Sequence, residues 1–81
     1  MSAFVKINLH GLHREEAIRA IDKAIRDADS TVYQIHLIHG FNRGTSLRNM
    51  IYDEYRYESK VKRIIPGENQ GITILVMREL Y

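Results

Sequence analysis

The sequence predicts an α/β fold, a two-layer sandwich in which a βαβαββ order lays two helices on a mixed four-stranded sheet. Three observations predict it. Apolar residues alternate with the period of two expected of strands near both ends and in the middle of the chain. Between the first three of these segments the apolar spacing changes to steps of three and four, the mark of a helix with one buried face. Turn-forming residues punctuate each change of period, so connections are short and right-handed crossovers place both helices against the sheet.

The first strand is expected over residues 4–9, with Val5, Ile7 and Leu9 on one face and Phe4, Lys6 and Asn8 on the other. After Gly11, Ala17, Ile21, Ala24 and Ala28 recur at helical steps, flanked by Ile18 and Ile25, while Arg14, Glu15, Arg19, Asp22, Lys23 and Arg26 fill the outer face. His13 stands at the N-cap of this helix and Glu16 at the reciprocal capping-box position. Asp29-Ser30-Thr31 supplies a turn, and residues 32–38 form the second strand, with Tyr33, Ile35 and Leu37 toward the core and Gln34 and His36 away from it. A loop over 39–44 leads to a second helix over 45–57, capped by Thr45 or Ser46 and striped with Leu47, Met50, Ile51 and Tyr55. Residues 61–65 and 72–77 make the last two strands, joined by the turn-rich segment 66–71.

Eighty-one residues suffice for one domain, expected over 1–81, that hides roughly 60 to 65% of the unfolded chain's surface. The absence of cysteine removes disulfides, thiolate metal sites and cysteine nucleophiles from consideration. No apolar run approaches the roughly 20 residues that cross a bilayer. The first residues also lack the basic-then-apolar order of a secretion signal, so the expected location is cytoplasmic, with no membrane partner. The formal net charge is only +2. Its distribution says more: from Gly40 to Arg63 there are six basic residues (Arg43, Arg48, Arg56, Lys60, Lys62, Arg63) against three acidic ones.

Two His-Gly turns, Leu9-His10-Gly11 and Ile38-His39-Gly40, each stand where a strand ends and a helix follows. Such a turn aims the free N–H groups of the next helix, and the positive end of its dipole, beyond the strand's C-terminal edge, where a phosphate is the natural guest. If the first two strands are parallel, both turns share one rim. Arg43 and Arg48 are then placed for phosphate, and Phe41 either stacks on an unpaired base or folds back as a loop anchor. His10 and His39 either touch the ligand or brace the two loops. A rim position for His39 predicts that its replacement by alanine costs under about 1 kcal/mol of stability. His36 reads as a residue of the open sheet face.

Asn8-Leu9-His10-Gly11 with Glu16-Ala17, His39-Gly40-Phe41-Asn42-Arg43-Gly44 and Gly71-Ile72-Thr73 together resemble the landmarks of the small MutS-related (Smr) domain family: D-L-H-G with a following E-A, H-G-x-G-x-G, and a Gly-x-Thr opening of the last strand. The resemblance runs from Phe4 to about Met77. It implies a fold like the C-terminal domain of bacterial translation initiation factor three. It also implies binding to structured DNA or RNA and, for several members, metal-assisted nicking with Mg²⁺ or Mn²⁺ as the cofactor. Carried onto this chain, His10, His39 and position 8 are the candidate catalytic residues, and Gly11, Gly40, Phe41, Asn42, Arg43, Gly44 and Arg48 the candidate nucleic-acid contacts. Two positions depart from the pattern. Asn8 replaces the family aspartate and brings no negative charge to a hard cation, and Asn42 replaces a glycine while remaining the side chain most tolerant of positive φ. The alternative reading is a protein-interaction or homodimerisation module on the same fold, built around Tyr52, Tyr55 and Tyr57.

Overall fold

The computed structural model describes residues 3–41 and 45–79. The element order is β1 (Phe4–Asn8), α1 (Arg14–Asp27), β2 (Gln34–Ile38), α2 (Ser46–Tyr55), β3 (Arg63–Pro66) and β4 (Ile72–Val76), the expected βαβαββ. The sheet runs β1-β2-β4-β3 and is mixed: β1 and β2 are parallel, while β4 lies antiparallel to both β2 and β3. The parallel pair sets Asn8 beside Ile38, so both strands end at the same edge.

One face of the sheet meets the helices. Register places Ile35 opposite Leu75 and Leu37 opposite Thr73 on that face, and Ala17, Ile21 and Ile25 from α1 with Met50, Ile51 and Tyr55 from α2 close over it. Each fully buried aliphatic side chain here stabilises the fold by about 1.5–3 kcal/mol. Leu9, Val32, Val61 and Met77 complete the core from just outside the strands. Tyr55 also ties the helices to each other. Its hydroxyl donates to Asp22 Oδ1 at 2.7 Å, and burial, then that hydrogen bond, push the hydroxyl's pKa above the usual tyrosine range.

The strand bounds shift slightly from those expected. β2 begins at Gln34 rather than residue 32, so Val32 is buried from the preceding turn and Tyr33 is only half-buried. β3 begins at Arg63 and takes in Pro66, which an edge strand accepts because the missing N–H would have faced outward. Val61 stays in the core, although a turn closed by its N–H to the Glu58 carbonyl at 3.0 Å holds it outside the strand. α1 starts at Arg14 after His13, whose backbone N–H donates to the Glu16 carboxylate at 2.9 Å, as the capping box predicts. α2 ends at Tyr55, two residues earlier than expected.

The other face of the sheet carries Phe4, Lys6 and His36, with the His36 ring 5.7 Å from that of Phe4 and its Nε2 2.8 Å from Gln34 Oε1. Among the described residues no helix is long and apolar enough to cross a membrane.

Candidate functional site

Three segments that are distant in sequence meet at the edge where β1 and β2 end. The Asn8 side chain folds over the first turn, its Oδ1 accepting the His10 backbone N–H at 2.9 Å, and Gly11 at φ +84° completes the reversal toward α1. In the second turn His39 and Gly40 both donate their backbone N–H to the Gly71 carbonyl, at 2.9 and 3.0 Å. The Gly-x-Thr segment at the start of β4 is thereby the third member of the rim.

Side chains lock these segments together. His39 is only 6% exposed and points toward the helix layer, continuing the inward alternation of Ile35 and Leu37. Its Nδ1 lies 2.6 Å from the Gly40 carbonyl and its Nε2 2.8 Å from Thr73 Oγ1. A carbonyl can only accept, so Nδ1 carries a proton, and in that tautomer Nε2 accepts from the Thr73 hydroxyl. The lone pair a general base would use is thus already occupied. His10, in contrast, is exposed, with no side-chain hydrogen bond among the described residues. Its ring lies on Gly40: a Cβ added there would fall 2.6 Å from His10 Cδ2, and Gly40 itself sits at φ +76°. Glycine at position 40 is therefore required twice, by backbone conformation and by contact.

The helices differ in what they offer an anion. The first turn of α1 contains Glu15 and Glu16, which cancel its positive end. The first turn of α2 has no acidic residue, and Thr45 makes no side-chain cap bond there. Arg48 is half-buried within that turn, and Phe41, next after Gly40, stands 51% exposed. Asn42, Arg43 and Gly44 lie outside the described residues.

The basic run of the second half does not act as one patch. Lys60 donates to the Ile25 carbonyl at 2.8 Å near the end of α1, and Arg63 pairs with Glu79 at 3.0 Å. Arg48 and Arg56 form no ion pair among the described residues, and both line a groove of about 810 Å³ between α2 and the turn joining β3 to β4. Tyr52, Asp53, Gln70 and Thr73 line it as well, so the groove opens beside the His39–Thr73 pair. Sequence reading missed Gln70, counted Arg56 only within the basic run and placed Tyr52 in a tyrosine cluster for protein contact, none of them as lining a groove. The spacing Arg48, Tyr52, Arg56 at successive helical turns was a visible signal for the α2 wall, whereas Gln70 reaches the groove only through the antiparallel return of β4.

The donors at the rim do not fit a hard divalent ion. Asn8 Oδ1 already accepts a backbone N–H, both His39 nitrogens are engaged, and no three His, Cys, Asp or Glu side chains come together among the described residues. The tyrosine cluster is also divided: Tyr55 is spent inside the protomer, while Tyr57 is 88% exposed.

The Smr domain model matches residues 7–77 of the chain. The solved Smr domain of Thermus thermophilus MutS2 superposes with a TM-score of 0.82 at 24% sequence identity, covering 93% of this chain and 99% of that one. No sequence match is found among curated proteins.

Proposed function

Because the chain belongs to the Smr domain family, we propose that it binds DNA or RNA at the rim formed by His10-Gly11, His39 to Gly44 and Gly71, reading backbone shape more than base sequence. One observation supports this reading: the His10 ring rests on Gly40, so the two His-Gly turns meet at one spot on the rim. His10 is the exposed histidine for a reacting or bound phosphate, and His39 holds the loop in place beneath it. Arg48 in the first turn of α2, with Arg43 five residues before it in the sequence, neutralises phosphate charge.

Loss of counterion release tests the reading. Replacing Arg43 and Arg48 by alanine is expected to weaken binding to every sequence and to flatten the slope of log affinity against log salt by up to about two. Fluorescence anisotropy with labelled hairpins over a salt series measures it, and an unchanged slope removes this loop from the interface.

Nicking assisted by Mg²⁺ or Mn²⁺ is the finer reading, and position 8 decides it. An aspartate there can accept the same His10 N–H that Asn8 Oδ1 accepts, and it adds the anionic oxygen that a hard cation needs. Asn8→Asp is therefore expected to raise metal-dependent nicking of supercoiled plasmid several-fold while leaving affinity for uncut substrate within about twofold. Mg²⁺ is also expected to raise the melting temperature of the variant more than that of the natural chain. Equal nicking by the two proteins across a metal titration would move the reaction away from any carboxylate at position 8. Homodimerisation rests on less, since Tyr55 is used within the protomer.

A further inference from the structure

We infer that the groove between α2 and the β3–β4 turn is a subsite for an unpaired nucleotide segment, entered from the rim. The inference rests on nucleic-acid binding at that rim and adds the substrate class. Three features of the groove carry it.

First, its cations are available and spaced. Arg48 and Arg56 sit eight residues apart along α2, a rise of about 12 Å, and neither is committed to a carboxylate among the described residues. Two separated guanidinium groups suit separate phosphates along one strand better than one compact anion. Second, an aromatic ring lies between them: Tyr52 is half-buried in the α2 wall, and Ile72 lines the groove with it. A base inserted between the two phosphate positions finds a ring to stack on. Third, the remaining lining is polar and of both signs. Gln70 supplies an amide, and Asp53 a carboxylate that can accept from a base amino group or a ribose hydroxyl. A nucleotide offers such donors beside the phosphates that the arginines take, whereas an acidic side chain offers only another carboxylate.

The volume, about 810 Å³, lies in the range of small-ligand sites. Gln70 in the groove adjoins Gly71, whose carbonyl accepts the His39 and Gly40 N–H groups, so the groove lies next to the rim. The ligand is thus a short single-stranded run of DNA or RNA, adjoining whatever structure the rim holds.

The test uses the full chain and fluorescein-labelled dT12, rU12 and a blunt 12-base-pair duplex, with anisotropy as the readout and circular dichroism confirming that each variant is folded. Arg56→Ala and Tyr52→Leu are expected to weaken binding of the single strands about five- to tenfold. The same substitutions should change duplex affinity by less than about twofold, and Tyr52→Phe should keep single-strand binding. Arg56 is exposed, so its variant keeps the test decisive even if Tyr52→Leu perturbs packing. Single-strand affinities unchanged in both variants, while the natural chain binds all three probes, would overturn the subsite and leave the rim reading intact. Failure of the natural chain to bind any probe would overturn both. Competition by a polyglutamate peptide as strong as that by dT12 would reassign the groove to acidic protein segments and overturn the inference as well.

Discussion

His39→Ala is expected to lower the stability of the fold by about 2 to 4 kcal/mol, several times the cost expected of a rim side chain. The ring is buried, and both of its nitrogens are hydrogen-bonded. A net hydrogen bond contributes about 0.5 to 1.5 kcal/mol, and a buried polar group left without its partner costs about 1 to 3. Thr73, only 1% exposed, would be such a group. For a chain of this size the loss corresponds to a fall in melting temperature on the order of 10 to 25 °C, measurable by scanning calorimetry. The partner substitution sharpens the test. Thr73→Val alone strands the His39 nitrogen, whereas the double variant removes donor and acceptor together, so its cost is expected to fall short of the sum of the two. A melting temperature within about 2 °C of the natural chain's would return His39 to the surface role read from its sequence context.

The second large effect is expected at Gly40. A β-carbon at φ +76° costs about 1 to 2 kcal/mol in backbone conformation, and here it also meets the His10 ring. The ring is exposed and can swing aside, so the contact contributes less to stability than the backbone does, but its displacement moves the one accessible histidine of the rim. Gly40→Ala is therefore expected to destabilise by about 2 kcal/mol in urea denaturation. It should also weaken nucleic-acid binding more than its stability loss explains. In a His10→Ala background the contact is gone while the backbone cost remains, so about 1 to 1.5 kcal/mol should persist. Complete recovery there would mean that the loop adopts another conformation without strain.

Much of this arrangement was legible because it follows from period and punctuation. The alternation of Val5, Ile7 and Leu9, the helical steps from Ala17 to Ala28, and the glycines after His10 and His39 fix the elements and bring both turns to one edge once β1 and β2 pair in parallel. The inward side of His39 was legible as well, as the next step after Ile35 and Leu37, yet a histidine in a glycine loop suggests exposure. Residue type pointed one way and periodicity the other, and periodicity decided. The groove was harder to see. Arg56 and Gln70 lie on different elements, and only the antiparallel return of β4 sets the turn before it against α2. The basic run from Gly40 to Arg63 was misleading in the opposite sense, since Lys60 and Arg63 find carbonyl and carboxylate partners that composition does not disclose.

The packing of the His10 ring on Gly40 imposes an order on how this chain can drift. Position 10 can shrink first at modest cost, because an exposed ring is lost and the neighbouring turn keeps its backbone bonds. Position 40 changes first at greater cost, since a new side chain there must displace the ring as well as adopt an unfavourable φ. Even after the ring has gone, the backbone still confines the replacement to residues such as asparagine that tolerate the left-handed region. Of the two possible mutational paths to a rim altered at both positions, the one that begins at His10 passes through the more stable intermediate. Descendants that retain His10 should retain Gly40, whereas the converse need not hold.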